Sequence, residues 1–181
     1  WVASPAPGVW RRLLERDGGE VARATSIVRY DAGARFEAHS HGGGEEILVL
    51  EGTFEDEHGR YGPGTYIHNP VGSAHAPFTV DGCTLLVKLR HLDPRDSERV
   101  VIDARSATWH QGLVEGLKVL PLHSFETQNT ALVRWAPQTF FNPHRHWGGE
   151  EIFVVEGVFS DEHGDYPAGS WLRSPHMSQH Q

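Results

Sequence analysis

HSHGGGEEILVLEGTFEDEHGRYGPG, residues 39–64, returns 105 positions later as HRHWGGEEIFVVEGVFSDEHGDYPAG, residues 144–169. Over the wider span, residues 28–76 lie on residues 133–181 with nearly half the positions identical, far above chance for so short a stretch. A period of this kind means two copies of one structural unit. Upstream the match resumes at a shift of 108, pairing Trp1 with Trp109 and Gly8 with Gly116, so a small length change falls in the loop between, where surface turns accept it. The charged, turn-rich DPRDSER, residues 93–99, reads as the linker region, which sets one domain at residues 1–95 and the other at 96–181. The second copy stops one residue after His180, without counterparts of the strands expected after His75, and is read as incomplete at its C-terminal end.

Within each copy the pattern is that of short strands. Residues 21–30 alternate in part, residues 45–51 form a tight apolar run, and DEHG at Asp56 and Asp161 marks the turn that follows. Glycine and proline punctuate the chain at intervals of about ten residues, which suits a sandwich or barrel of antiparallel strands. No long stretch carries a helical period, so the fold class is all-β. On the strand from Glu45, residues Glu45, Ile47 and Val49 share one face, and Glu46, Leu48 and Leu50 share the other. Both faces are apolar enough to be covered. One lines the barrel, and the other is expected to meet the sister copy or a second subunit, which makes a homo-oligomer, a dimer, the expected assembly.

The 181 residues carry a net charge of -8, with no basic stripe to track a phosphate backbone, so nucleic acid is not an expected partner. Cys83 is the only cysteine, which excludes an internal disulfide and a cysteine-rich zinc module. It reads as a small apolar residue of a strand running from Cys83 to Leu89. No window approaches the roughly 20 apolar residues of a membrane span, and no signal pattern opens the chain, so the expected location is the cytoplasm. The only methionine is Met177, so the chain lacks an initiator.

The chemistry lies in the histidines. His39 and His41, one residue apart, point the same way if they lie on a strand. Gly42, Gly43 and Gly44 then let the backbone turn sharply, so that Glu45 can face them. His75 follows behind the turn signal of Pro70 and Gly72, and the second copy repeats all four positions as His144, His146, Glu150 and His180. Imidazole nitrogen with carboxylate oxygen suits zinc, iron, manganese, copper or nickel, and disfavours calcium and magnesium. For any single histidine an ordinary core or surface role is favoured by several to one. Eight residues repeating in one register reverse those odds. His58, His91, His110 and His163 read as solvated side chains. His176 is kept as a further ligand or access-controlling group, and Glu46 and Glu151 as surface or interface charges with a supporting role near the ligands as the alternative.

These residues resemble the cupin superfamily. Gly33, His39, His41, Glu45 and Gly52 match the whole of its first motif, and Gly64, Pro70, Gly72 and His75 match its second, with Thr79 in place of the final Asn. The second copy departs at Gln138 and Met177, where the motifs have Gly. The fold implied is two tandem cupin barrels of jelly-roll type. More narrowly, GGEEI-x-V-x-EG-x-F-x-DEHG-x-Y is similar to the cupin domains of ChrR-type anti-sigma factors, whose corresponding three His and one Glu bind zinc. Those proteins also carry a helical sigma-binding domain that this sequence does not resemble. The resemblance implies up to two divalent ions per chain, zinc first, with iron, manganese or nickel as alternatives. It also implies a regulatory or sensor module in a transcription-linked stress response, with a small-molecule ligand and a sigma-factor pathway partner. Two other functions are kept. The superfamily also includes metal-dependent dioxygenases and related oxidoreductases, here acting on a small diketone or carboxylic acid, and, because metal binding adds folding free energy, a structural or storage protein stabilised by its metal is the third.

Overall fold

A computed structural model describes residues 1–19 and 21–180. The described residues contain no helix, so none is long and apolar enough to cross a membrane. The chain divides into two compact units, Trp1–Thr108 and Trp109–Gln181.

The first unit contains β1 (Val2–Ala3), β2 (Val9–Gly18), β3 (Ala22–Tyr30), β4 (His39–Ser40), β5 (Glu45–Gly52), β6 (Phe54–Asp56), β7 (Gly59–Tyr61), β8 (Thr65–Asn69), β9 (Ala74–His75), β10 (Cys83–Leu89) and β11 (Val100–Asp103). Seven of these form one antiparallel sheet in the order β1-β2-β3-β10-β5-β8-β11, while β4 pairs with β9 and β6 with β7. The alternation along β5 does what its sequence implies. Ile47 and Val49 enter a core shared with Val9, Tyr30, Phe54, Ile67, Leu85 and Val87. Phe54, 1% exposed, meets Tyr30 edge-to-face at 6.2 Å, and burying a side chain of its size contributes about 1.5–3 kcal/mol. β5 ends at Gly52, whose φ of +71° belongs to the left-handed region. A Cβ there would collide with the backbone carbonyl of Gly82, so the sharp exit toward β6 requires glycine.

The first compact unit continues past the 93–99 segment to Thr108. Segment 93–99 is no free linker. Asp96 is buried, with a carboxylate oxygen 3.2 Å from His68 Nε2. After it β11 pairs with β8, Val100 opposite His68 and Asp103 opposite Thr65. The physical reason is backbone satisfaction: the outer edge of β8 takes the VVID segment as a partner strand rather than leaving its polar groups unpaired.

Two other side chains depart from the expectation of solvated or surface groups. Glu46 is buried, accepts a hydrogen bond from the Tyr66 hydroxyl, and places Oε2 2.5 Å from Nε2 of the largely buried His91. Burial opposes its charge, but bonds with His68, His91 and Tyr66 outweigh it and hold the carboxyl well below the usual range.

The second unit contains β12 (His110–Gln111), β13 (Leu117–Phe125), β14 (Gln128–Trp135), β15 (His144–His146), β16 (Glu150–Phe153), β17 (Val158–Asp161), β18 (Gly164–Pro167), β19 (Trp171–Ser174) and β20 (Ser178–His180). β12, β13 and β14 form a three-stranded sheet, and β15 pairs with β20, β16 with β19 and β17 with β18. Leu117, Leu120, Leu122 and Val154 are its buried apolar residues.

Candidate metal sites

Strand pairing assembles each site. In the first unit β4 and β9 run antiparallel with His39 directly opposite His75, and in the second β15 and β20 place His144 opposite His180. The backbone N–H of His41 donates to the Ser73 carbonyl at 2.8 Å, which keeps the chain against β9 beyond the end of β4. Gly44, at φ +72°, then turns it so that Glu45 opens β5 facing the histidines.

The result is a convergence of donor atoms. His41 Nε2 lies 3.0 Å from His75 Nε2 and 3.4 Å from Glu45 Oε2, and His75 Nε2 lies 3.6 Å from the same oxygen. The His39 ring stands 4.8 Å from that of His41 and 5.2 Å from that of His75 between centroids. In the second unit His146 Nε2 is 2.9 Å from Nε2 of both His144 and His180. Glu150 Oε2 stands 3.3 Å from His146 Nε2 and 3.2 Å from His180 Nε2. His39, His41 and His75 form one group able to hold a metal ion, and His144, His146 and His180 form another.

These spacings can be tested against what a cation needs. Around an ion bound at roughly 2.1 Å, neighbouring ligand atoms stand about 3.0 Å apart at right angles and about 3.4 Å apart at the tetrahedral angle. The separations in the two clusters, 2.9–3.6 Å, bracket that range. Proton placement agrees. His39 Nδ1 lies 2.9 Å from the carbonyl oxygen of Glu37 and His144 Nδ1 3.1 Å from that of Asn142. A carbonyl only accepts, so a neutral ring at either place carries its proton on Nδ1 and directs the Nε2 lone pair toward the other imidazoles. Glu150 Oε2 is buried and accepts no hydrogen bond among the described residues, an orphaned acceptor of the kind a cation satisfies. The residues fit a divalent metal.

Electrostatics point the same way. Burial, together with the neighbouring His75, His39 and Arg90, lowers His41 to about 3, so its ring stays neutral and able to coordinate. Burial raises Glu45 to about 7, against the opposing pull of His75 and of Asn69, which donates to Glu45 Oε2 at 3.1 Å. Burial also lowers His146, with Glu150 opposing.

His58, His110 and His163 are exposed, as is Glu151. His176 is exposed and lies outside the group formed by His144, His146 and His180. Two supporting residues went unread in the sequence. Asn69 braces Glu45, and Asp56 places Oδ2 3.3 Å from His75 Nδ1. The repeat of DEHG marks Asp56 as part of a turn but not as a neighbour of His75. Asn69 has Ser174 as its counterpart, so the repeat gave no signal for it.

A family model described as the ChrR cupin-like domain matches residues 1–93 and again residues 97–181. No curated protein matches. Among solved structures, a Nostoc punctiforme protein provisionally assigned as a dioxygenase aligns with a TM-score of 0.82 at 16% identity, covering 99% of this chain and 72% of its own. A provisionally assigned glyoxylate-induced protein of Pseudomonas aeruginosa gives 0.77 at 14% identity, covering 99% and 77%. A cupin 2 conserved barrel domain protein of Leptotrichia buccalis gives 0.64 at 10% identity, covering 99% and 84%. At such identities the likeness concerns the fold, which is that of cupins. With the family model matching both halves of the sequence, this chain belongs to the ChrR cupin-like domain family, in two tandem copies.

Proposed function

We propose that each unit binds one divalent transition-metal ion, zinc in the first place, and that the chain is a metal-dependent regulatory module. The ligands are His39, His41, Glu45 and His75 in the first unit and His144, His146, Glu150 and His180 in the second. The observation that carries this reading is the convergence of imidazole nitrogens and one carboxylate oxygen at ligand-to-ligand distances in both units. When bound, the ion supplies positive charge that ties together strands distant in sequence. His39 and His75 then hold β4 to β9, and Glu45 fixes the start of β5 to both. Because such a site is assembled only in the folded chain, occupancy raises the stability of its unit, and that linkage is a physical basis for sensing. His41, Glu45 and His75 are each less than a tenth exposed, which favours a retained, regulatory ion over one that must admit substrate. Family membership supports a partner in a sigma-factor pathway.

Elemental analysis of the full chain, purified without added metal, tests the reading. Zinc near two per chain is the expected result. Protein that carries no metal and takes up none on addition of zinc sinks it. A second reading, a metal-dependent enzyme acting on a small organic acid or diketone, is favoured by one feature. A cavity of about 440 Å³ lined by Leu117, Val133, Trp135 and Phe141 opens beside His144. Iron or manganese in the elemental analysis, with dioxygen uptake in the presence of such a compound, would carry that reading instead.

A further inference from the structure

The motif DEHG is identical in both copies, yet neither of its acidic residues is a ligand in the proposed site. In the first unit both reach across to the segment that carries His75, Asp56 to His75 itself and Glu57 to Ala76 just after it. Asp56 is the more telling. Its side chain is 1% exposed, and its two oxygens have separate tasks. Oδ1 accepts from the backbone N–H of His58 at 2.8 Å, from that of Gly59 at 3.1 Å and from the Tyr61 hydroxyl at 3.2 Å. Those three donors lock the carboxylate into the turn between β6 and β7. Oδ2 is left to face His75 Nδ1 at 3.3 Å. The next residue, Glu57, accepts from the backbone N–H of Ala76 at 3.0 Å, so the turn also grips the chain just after His75.

We propose that Asp56 is a positioning residue for the first site, holding His75 with its proton on Nδ1 and its Nε2 lone pair directed at His41 and Glu45. This rests on reading that cluster as a metal site. The chemistry is that of a carboxylate backing a metal-bound imidazole: an ionised carboxylate can only accept, so the ring nitrogen it faces must donate, and the opposite nitrogen is left to coordinate. His39 has the same arrangement from a backbone carbonyl, that of Glu37. His75 has it from a buried side chain fixed by three further hydrogen bonds. The physical purpose of the DEHG turn in the first copy is therefore to aim a ligand located 19 residues further along the chain.

The test uses the full chain labelled with ¹⁵N in histidine, with Asp56→Asn as the variant. Asparagine keeps an oxygen to accept from His58 and Gly59 but presents an N–H₂ to His75, which pushes the ring proton onto Nε2, where the ion would sit. In metal-free wild type, the His75 imidazole correlations, assigned with His75→Gln, should show protonated Nδ1 and bare Nε2. In Asp56→Asn they should reverse, and zinc affinity at the first site, read by chelator competition, should fall by about 10- to 100-fold while the second site keeps its own. A His75 proton on Nε2 in metal-free wild type overturns the proposal even if the variant fails to fold. An unchanged tautomer with zinc affinity within about twofold of wild type overturns it as well. Wild type that takes up no zinc at the first site defeats the metal reading, while the tautomer measured without metal still decides what Asp56 does.

Discussion

Replacing His41 with Ala removes one nitrogen from the first cluster and touches nothing in the second. The variant should carry about one ion fewer per chain, since ligand number governs affinity. Elemental analysis checks this, and unchanged stoichiometry would remove His41 from the ligand set. The pH dependence of the metal-free protein follows from two groups of opposite sign. His41 stands at about 3 in the folded chain against an ordinary 6.5, so between those values the unfolded state binds more protons. Its contribution to stability is complete above about 6.5 and drains away as the pH falls toward 3. Glu45 is raised from 4.5 to about 7, so its contribution is complete below 4.5 and is lost as the pH rises through 7. Urea midpoints of the metal-free chain should therefore fall between pH 4.5 and pH 3.5. His41→Gln should flatten that decline, and an equal slope in the variant would show that other groups govern it. Much of the proposed ligand set can be picked out at this scale, because His-x-His and the glycine run confine three candidates to seven consecutive residues and the repeat singles out His75. What supports them is not legible. Asp56 reaches His75 and Asn69 reaches Glu45 only through strand pairing, and no spacing rule encodes a contact made across a sheet.

At the level of single elements, β5 was the most readable strand, because its alternation feeds Ile47 and Val49 to one core. Its exit is equally specific. Gly52→Ala would place a side chain in the left-handed region and against the Gly82 carbonyl, with an expected loss of about 1–3 kcal/mol in urea unfolding. A loss below about 0.5 kcal/mol, the range of an ordinary surface substitution, would mean that the turn relaxes freely. The strand after the charged segment, β11, was not readable. Four residues, VVID, behind a run that looks like a linker carry too weak a pattern, and only the bare edge of β8 gives them a place. The Glu46 network was hidden for a related reason. His68 and Tyr66 become Arg173 and Trp171 in the second copy, so the repeat that singles out the candidate ligands says nothing about their neighbours on the other face.

For the molecule as a whole, two compact units with a proposed site each are expected to respond separately to metal removal. A ligand present at 1,000 times its Kd adds about 4 kcal/mol to the state that binds it, so with both proposed sites filled, chelation should lower the thermal midpoint by several degrees. His41→Ala should leave one metal-dependent transition where wild type has two, readable by calorimetry with and without a strong chelator. A single chelator-insensitive transition would contradict that independence. The tandem architecture itself was visible from the repeat alone.

Cys83 sits on β10, between β3 and β5 in the middle of the first unit's sheet, and burial pushes its thiol up to about 12. At pH 8 an alkylating reagent should therefore find almost no thiolate until that strand is pulled from both neighbours. With no second sulfhydryl anywhere in the 181 residues, the label acts as a clock wired to one half of the molecule. Its ticking rate counts how often β10 comes away from both β3 and β5.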